Sequence, residues 1–540
     1  MDSLMKLKHA LFAGLIPLTL TACESKYESP VPAQQINNAW YQEGQQNLAA
    51  KDFIKAQPQA KNIILFVGDG MGISTVTAAR ILEGQRQGKL GEEHVLSFEK
   101  FPFTGLSKTY NVDAQTPDSA GTMTAMVTGV KTNAGIISID ENVIRKDCRS
   151  GQGNELMTTL ELAELAGLST GIVTTARLTH ATPAATYAKS ADRNWEDTSD
   201  MSEDAIEAGC EDIASQLISF KDRLDKTVPG AQIDGIDVAM GGGRRHFLPK
   251  DEIYNTPDAV SKIEGDRTDG RHLINEWKTN NPEGVYLSNK ADFDKLKISA
   301  NRQVLGLFNE SHMRYEADRK NDLSGEPTLG EMTEKAIKLL EQNKKGFFLM
   351  VESGRIDHGH HAGNAYNALN DTIEMAKAVE IAVKNTNPEE TLIIVTADHS
   401  HVFTIAGYPK RGNPILGKVI NIGKDEPALD LDSMPYTTLG YMNGLGHHDF
   451  EDACDANIVY DHDHNAGRHD LTDVNTQASG FHQEALVPLP AETHGGEDVS
   501  IYATGPHAPY VTGVNEQNVI FHIMNSAADL ENRAAKAIQR

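Results

Sequence analysis

Residues 347–361 read FFLMVESGRIDHGHH, and this stretch points to the fold class of the chain. Its first five residues are apolar, as in a strand buried inside a sheet. If the strand ends there and a helix follows, Asp357 and His361 lie on one helical face, because they are four residues apart. A carboxylate and an imidazole at that spacing can reach one cation, and mixed oxygen and nitrogen ligands suit catalytic zinc. A solvated polar helix start is the alternative interpretation.

Apolar runs of the same kind recur along the chain, with helical stretches between them. The runs lie at residues 61–68, 170–174, 236–240, 347–351 and 392–396, and two of the helical stretches lie at 156–166 and 329–341. Strands that alternate with helices predict an α/β fold with a largely parallel sheet. Polar residues follow several of the runs, which is where such sheets bind ligands.

Length and charge limit the possible classes of protein. The 540 residues suffice for one large domain with insertions or for two to three ordinary domains. A hydrophobic content of 39% is adequate for a core. The formal net charge of -26 argues against a nucleic-acid partner held through phosphate contacts.

The N-terminus has the pattern of a targeting segment, predicted over residues 1–22. A basic start precedes an apolar core at residues 10–20, which is too short to span a bilayer. Residues 20–23, LTAC, resemble a bacterial lipobox, in which Cys23 is acylated, and Glu24 resembles the next residue of lipoproteins sorted to the outer membrane. The sequence therefore predicts export and a lipid anchor at the outer membrane, on the periplasmic or cell-surface side. An ordinary signal peptide cut nearby is the alternative.

Three cysteines follow the targeting segment: Cys148, Cys210 and Cys454. An exported chain meets an oxidising compartment, so one disulfide is expected and one thiol is left over. The residues alone do not choose the pair.

Two further segments differ from the α/β pattern. Residues 24–37 are polar and are predicted to form a tether, and a helix is predicted from Asn38 to Ala56, with Pro58 just beyond it. Glycine, proline, histidine and acidic residues dominate residues 407–492, which predicts an irregular surface insertion. Metal capture is one interpretation of its histidines, and a solvated loop is the favoured one. These histidines are His447, His448, His462, His464 and His469.

A glycine-rich turn, VGDGMG at residues 67–72, follows the first apolar run. Its spacing is not that of a dinucleotide-binding G-x-G-x-x-G turn, and Asp69 occupies its centre. An aspartate at a strand end, where glycines keep the backbone close, fits a metal ligand better.

Residues 116–122, TPDSAGT, place Ser119 at or near the start of a helix. The free amides and the positive dipole end of a helix stabilise anions such as an alkoxide or a phosphate. An ordinary N-cap serine is the alternative. The surroundings do not match the G-x-S-x-G elbow of other hydrolases.

Further ligand-type residues follow the run at 392–396. Asp398 and His399 can share an ion only where the chain has left the strand, because adjacent strand side chains point to opposite faces. His494 precedes a late strand. Two zinc sites that share a reacting oxygen would use such a set. The candidate residues are Asp69, Ser119, Glu352, Asp357, His361, Asp398, His399 and His494.

Several ordered motifs resemble those of alkaline phosphatases, the animal-type enzymes more closely than the enteric bacterial type. The resemblance runs from about Asn38 to the C-terminus. Its motifs are GDGMG at 68–72, DSAGT at 118–122, RNW at 193–195, RIDHGHH at 355–361, TADHSH at 396–401 and THGGED at 493–498. The resemblance implies a three-layer sandwich, in which helices flank a large, mostly parallel central sheet.

The resemblance also implies a set of metal ligands. The first zinc ion would be held by Asp357, His361 and His494, the second by Asp69, Asp398 and His399, and the magnesium ion by Asp69, Thr182 and Glu352. His180 stands where the enteric enzymes have an aspartate, and His358 stands where they have a lysine. A neutral imidazole in place of that carboxylate should loosen magnesium.

The implied activity is hydrolysis of small phosphate monoesters through a phosphoserine on Ser119, with Arg193 gripping two phosphate oxygens. Cys148 and Cys210 match a disulfide of the animal-type enzymes. Asn309 stands where those enzymes have an acidic calcium ligand, which argues against calcium there.

The resemblance also implies an organisation of the chain. The catalytic domain would comprise residues 59–406 and 493–540, and the insertion at 407–492 would occupy the place of the crown subdomain. The family is generally homodimeric, and the helix predicted from residue 38 would match its intersubunit arm. The tether and arm together span residues 23–58.

Two other functions compete with a phosphomonoesterase. A sulfatase or phosphodiesterase of the same superfamily is one, but Ser119 is not in a C/S-x-P-x-R motif, and such diesterases commonly use threonine and lack the segment of Arg193. A metal-scavenging surface lipoprotein, using the histidine-rich insertion, is the other.

Overall fold

The computed structural model describes residues 28–300, 302–450 and 462–539. The predicted signal peptide at residues 1–22, the lipidation site Cys23 and the third cysteine, Cys454, lie outside these residues. Among the described residues, no helix combines the length and the apolar character needed to cross a membrane.

Strands and helices alternate through most of the described chain. The strands are β1 Asn62–Gly68, β2 Phe103–Lys108, β3 Ser169–Arg177, β4 Val238–Gly242, β5 Val285–Leu287, β6 Val304–Leu307, β7 Phe347–Ser353, β8 Thr391–Ala397, β9 Ser400–His401, β10 Phe403–Ile405, β11 Leu439–Gly444, β12 His448–Asp449, β13 Phe481–His482, β14 Ala485–Pro488, β15 His494–Gly495, β16 Val499–Thr504 and β17 Gly513–Glu516. The helices are α1 Ala33–Asn37, α2 Ala39–Ala49, α3 Ile73–Arg86, α4 Ser119–Thr128, α5 Thr159–Leu165, α6 Ala181–Tyr187, α7 Glu203–Glu207, α8 Ile213–Ile218, α9 Phe220–Thr227, α10 Leu273–Asn280, α11 Lys290–Lys295, α12 Leu329–Leu340, α13 Arg355–His361, α14 Ala365–Asn385, α15 Val519–Ala528 and α16 Leu530–Ile538.

Ten strands form one central sheet, in the order β17-β2-β16-β8-β1-β7-β3-β4-β6-β5. Within it, β16 runs antiparallel to both of its neighbours, and the other paired strands run parallel. Each of the five apolar runs of the sequence contributes a strand to this sheet. The predicted largely parallel α/β fold is therefore confirmed.

Both faces of the sheet are buried, as the central strand β1 shows. Ile63, Leu65 and Val67 pack into one hydrophobic core, which contains side chains of α4, α5 and α15. Ile64 and Phe66 point the other way, into a core with side chains of α3, α12 and α14. Because successive strand residues face opposite sides, an unbroken apolar run fills two cores at once. The molecule is thus a three-layer sandwich with helices on both faces.

The N-terminal arm differs from the sequence prediction in two ways. The helix predicted to reach Ala56 ends at Ala49, because the residues after it bury little apolar surface, and Phe53 is 74% exposed. The tether contains a short helix, α1, in which Gln35 is fully buried. Its side-chain amide donates to the backbone carbonyls of Thr128 and Met157 and thereby fixes the tether to the body of the protein.

The described parts of the insertion, residues 407–450 and 462–492, are irregular, with short strands. β11 pairs with β10 and β14, and β12 pairs with β13. Elsewhere, a disulfide joins Cys148 to Cys210, which is the pair that the resemblance implied. The two cysteines pack against a small separate hydrophobic cluster that includes Trp195.

Candidate active site

The order of the central strands gathers three of the predicted ligands at one edge of the sheet. β1 lies between β7 and β8, and the register pairs Val67 with Glu352 and Gly68 with Ala397. Asp69 therefore follows β1 beside Glu352 on one side and Asp398 on the other. These three carboxylates are fully buried.

The strand-to-helix stretch at 347–361 adopts the predicted form, with β7 followed by α13. Asp357 Oδ1 lies 3.2 Å from His361 Nε2 and 3.4 Å from His494 Nε2. His494 reaches this point because β15 pairs with β9, which places His494 opposite His401. The first predicted set of zinc ligands, Asp357, His361 and His494, thus lies together.

The ring orientations in this first group suit metal binding. Nδ1 of His361 donates to the backbone carbonyl of Glu492 at 2.5 Å, and Nδ1 of His494 donates to that of Pro117 at 2.8 Å. Since a carbonyl only accepts, Nε2 of each ring carries the free lone pair. Metal-bound histidines in proteins usually have such an outer partner.

A second group consists of Asp69, Asp398 and His399. The Nε2 atom of His399 lies 3.3 Å from Asp69 Oδ1 and 3.2 Å from Asp398 Oδ2. Burial and the neighbouring His494 lower the pKa of His399 well below its usual range, which keeps the imidazole neutral and its lone pair available. The ring of His494 stacks on that of His399 with centroids 3.6 Å apart, so the first and second groups adjoin.

A third group shares Asp69 and adds Glu352 and His180. Glu352 accepts a hydrogen bond from the Thr174 hydroxyl, and the Thr182 hydroxyl at the start of α6 is buried without a hydrogen bond to a described residue. His180 is the N-cap residue of α6, and burial together with Arg193 lowers its pKa to about 3.

His358 lies outside that group, with its ring centroid 5.5 Å from that of His180. A further buried imidazole, His312, lies 4.1 Å from His358 between ring centroids. Burial lowers the pKa of both His312 and His358 well below the usual range, so this histidine cluster is neutral.

Four buried carboxylates in so small a space require positive charge. Burial and then the charge of Asp398 raise the pKa of Asp69 well above its usual range, and burial raises the pKa of Glu352 to about 7. Burial would also raise the pKa of Asp357, but His361 and the other imidazoles around it hold it well below the usual range. Neither oxygen of Asp69 accepts a hydrogen bond from a described residue, and the same holds for Oε1 of Glu352 and Oδ2 of Asp398. Buried polar atoms rarely stay unpaired, so these unpaired carboxylate oxygens fit a role as ligands of bound cations.

Ser119 is the first residue of α4 and lies against the second group. Its hydroxyl is 3.1 Å from His399 Nε2. The N-cap of this helix is Asp118, whose Oδ1 accepts from the Gly121 amide at 3.0 Å. Ser119 is therefore not the capping residue, and its hydroxyl remains directed at the ligand groups.

Arg193 lies near the same helix start. Its Nη1 donates to Asp118 Oδ2 at 3.1 Å, and its Nη2 lies 3.1 Å from His180 Nε2. Burial would raise the pKa of Asp118, but Arg193 and two backbone amides hold it below the usual range. The guanidinium is thus fixed beside Ser119 as a cation.

Two residues of the site were missed by the sequence prediction. His401 Nε2 lies 2.9 Å from Asp357 Oδ1, and His401 Nδ1 lies 2.5 Å from Glu492 Oε2. Burial by itself would lower the pKa of His401. The carboxylates of Glu492 and Asp357, which flank the ring, raise this pKa to about 10. The motif at 396–401 contained His401 as a visible signal, whereas nothing in the sequence marked Glu492 as its partner.

Two other acidic clusters contain basic side chains within contact distance. His246 contacts Asp197 Oδ2 at 2.6 Å and Glu196 Oε2 at 3.3 Å, which accounts for the group of Asp197, Asp200 and His246. Near the end of β6, Glu310 pairs with Arg245 at 2.7 Å, and the side-chain amide of Asn309 donates to Glu326.

Buried carboxylates and imidazoles around a serine and an arginine define a class of protein, the metal-dependent hydrolases of phosphate esters. Comparisons with known proteins give the family. A family model described as alkaline phosphatase matches residues 60–530. The chain is 44% identical to the tissue-nonspecific alkaline phosphatase of Gallus gallus over 531 residues, covering 97% of this chain and 95% of that protein. It is also 44% identical to an alkaline phosphatase of Gadus morhua, covering 87% of this chain and 92% of that protein.

Solved structures agree on the fold. The alkaline phosphatase of the Antarctic bacterium TAB5 superposes with a TM-score of 0.56 at 20% identity, covering 88% of this chain and 99% of that one. The alkaline phosphatase of Thermus thermophilus superposes with a TM-score of 0.60 at 24% identity, covering 89% of this chain and 95% of that one. The chain belongs to the alkaline phosphatase family and is a phosphoric monoester hydrolase.

Proposed function

We propose that the chain hydrolyses phosphate monoesters through a phosphoserine on Ser119, at a site that holds two zinc ions and one magnesium ion. One observation carries this proposal. The Ser119 hydroxyl stands at a helix N-terminus, 3.1 Å from a nitrogen of the second ligand group and near a fixed arginine. A nucleophile, an anion-stabilising helix end and a cationic clamp are the parts that phosphoryl transfer to a serine needs.

The three groups of donors support the proposed metal ligands, except Thr182, which comes from the family resemblance. The first zinc ion is assigned to Asp357, His361 and His494, the second to Asp69, Asp398 and His399, and the magnesium ion to Asp69, Thr182 and Glu352. Imidazole-containing sets suit zinc, whereas an all-oxygen set suits the harder magnesium ion. When bound, such ions supply Lewis-acid stabilisation of charged oxygens.

The chain's own residues would position the phosphate. Arg193 has two of its donors held by Asp118 and His180, so its guanidinium is oriented before substrate arrives. Its planar fork can then grip two phosphate oxygens. The amides at the start of α4 add donors for negative charge.

The reaction would proceed in two displacements at phosphorus. In the first, Ser119 gives its proton to solvent water, its Oγ forms a bond to phosphorus, and the bond from phosphorus to the ester oxygen breaks. The ester oxygen takes up a proton from solvent water and leaves as the alcohol. In the second, the oxygen of a water molecule bonds to phosphorus and loses a proton to solvent, the bond to Ser119 Oγ breaks, and Oγ takes up a proton from solvent, which returns the serine and releases inorganic phosphate.

Hydrolysis of a generic phosphomonoester at alkaline pH, by wild type and Ser119→Ala, tests this proposal. We expect turnover to fall on the order of 10³-fold or more in Ser119→Ala, because the nucleophile is lost. Thr122→Val is the matched control: the Thr122 hydroxyl lies in the same helix but donates only to the backbone carbonyls of Asp118 and Ser119. It should keep most of the activity. Equal turnover in wild type and Ser119→Ala would reject the mechanism.

A phosphodiester assayed beside the monoester separates the two activities. Faster diester turnover would favour the diesterase alternative. Chelator treatment followed by zinc and magnesium replacement completes the test, since the mechanism needs both ions for full activity.

We also infer export, lipid attachment at Cys23 and a homodimer. The LTAC pattern at residues 20–23 supports the first two. For these, Cys23→Ser should move the protein out of the membrane fraction of its native host. The family resemblance supports the dimer, and light scattering of the purified protein, compared with the mass of one processed chain, measures the number of chains.

A further inference from the structure

We propose that the insertion contains a further metal site, in which His448, His462 and His482 bind one divalent transition ion, zinc by preference. This site is separate from the phosphatase centre and does not depend on the mechanism proposed for it. None of the three histidines contributes to the ligand groups described above.

The backbone brings these histidines together. β12 and β13 pair antiparallel, and the register places His448 opposite His482. The ring of His462 lies 3.6 Å from that of His448 and 5.4 Å from that of His482, measured between centroids. The three imidazoles thus form one cluster, although the first and the last are 34 positions apart in the sequence.

Each of the three rings has one nitrogen bonded to a backbone carbonyl. Nδ1 of His482 donates to Ala362 at 2.7 Å, and Nδ1 of His462 donates to Asp463 at 3.0 Å. The ring of His448 bonds the carbonyl of Gly446. Since a carbonyl accepts only, these contacts fix the proton on the bonded nitrogen and leave the lone pair on the other.

The opposite nitrogens have no partner. Nδ1 of His448, Nε2 of His462 and Nε2 of His482 are all buried and make no hydrogen bond with a described residue. Leaving three acceptors buried and unpaired in one cluster is costly. A carbonyl partner on one nitrogen and a free lone pair on the other is the usual state of a histidine that binds a metal.

The cluster is partly buried, and burial lowers the pKa of His448 and of His482. His482 is fully buried, and burial lowers its pKa to about 4. Phe450 packs against all three rings, at 5.3 Å from His448, 5.5 Å from His462 and 5.4 Å from His482 between centroids. Neutral imidazoles are ligands for zinc and similar ions rather than for magnesium or calcium. Three of them leave a fourth position for water.

Metal binding here would stabilise the join between the insertion and the catalytic helix. His482 bonds the carbonyl of Ala362, the residue directly after α13. The backbone amide of the next residue, Gln483, donates to the Gly363 carbonyl at 2.8 Å, and its side-chain oxygen accepts from the Ala365 amide at 2.8 Å. An ion that draws the three rings together therefore also holds the turn between α13 and α14.

The test compares the zinc content of purified full-length wild type, His462→Ala and His464→Ala after equilibration with zinc. His462 is chosen because it is partly exposed, so its truncation should not prevent folding. His464 is an exposed histidine two residues away and serves as the control. We expect His462→Ala to bind one zinc ion fewer per chain with phosphatase turnover retained, and His464→Ala to match wild type.

A second variant, His448→Ala, should lose the same single ion. Zinc should also raise the melting temperature of wild type above that of either variant when the catalytic sites are already filled. Equal zinc content in wild type, His462→Ala and His448→Ala would overturn the proposal. Zinc loss together with loss of turnover would assign the missing ion to the active centre and would overturn it as well.

Discussion

Replacing both Cys148 and Cys210 by serine tests how the segment that carries Arg193 is held. The disulfide between them spans a sequence separation of 62 residues. The enclosed segment contains His180, Thr182 and Arg193, and near its end Trp195 packs in the small cluster beside the bridge. Removing the bridge leaves the buried contacts of the native state in place but frees the unfolded chain.

The magnitude follows from the length of the closed loop. In the chain-entropy model, a loop of this length gives about 4 kcal/mol of stability. Unfolding entropy is about 2 cal/mol/K per residue, so a chain of 540 residues has an unfolding entropy of about 1 kcal/mol/K. We therefore expect the melting temperature to fall by about 4 °C.

Differential scanning calorimetry with saturating zinc and magnesium measures this change. Both proteins should carry Cys454→Ser, so that no other disulfide can form, and Cys454→Ser alone is the control. A fall of less than about 1 °C would refute the reasoning, since the loop would then contribute little entropy to the unfolded state.

Three other predictions concern the metal centre and buried charge. His180→Asp should bind magnesium more tightly in a metal titration, because a carboxylate replaces a neutral imidazole; equal affinity in both proteins would contradict this. His401→Ala should weaken zinc retention about 10–100-fold in a chelator competition, since it removes the 2.9 Å contact to Asp357, and unchanged retention would show that the contact does not matter. Burial, then Asp234, raises the pKa of Asp237 to about 7, so the folded state loses stability as pH rises from the usual carboxyl pKa towards 7. We compare the free energy of unfolding of Asp237→Asn with that of wild type by thermal unfolding at pH 5 and at pH 8. The variant should be more stable relative to wild type at pH 8 than at pH 5, by about 2–3 kcal/mol. The same difference in stability at both pH values would contradict this prediction.

Much of the fold was predictable from local sequence. A short, mainly apolar stretch bounded by polar residues or glycine identifies a strand buried on two faces, and each of the five stretches became a strand of the central sheet. The helix from Arg355 to His361 and the placement of Ser119 at the start of α4 also follow from local pattern, because helical spacing is a property of neighbouring residues. The predicted end of the arm helix was wrong, because the position of that end depends on what the chain packs against after Ala49.

The sequence by itself determined which residue types stand at the strand ends, and the motif resemblance assigned them to three metal ions. Only the tertiary structure decided which of them meet. Asp69 joins two ligand groups because β1 lies between β7 and β8, and His494 reaches Asp357 because β15 pairs with β9. The histidine cluster of the insertion likewise exists only where β12 meets β13. Strand order and long-range pairing are set by how the two cores pack, which periodicity over a few residues does not encode.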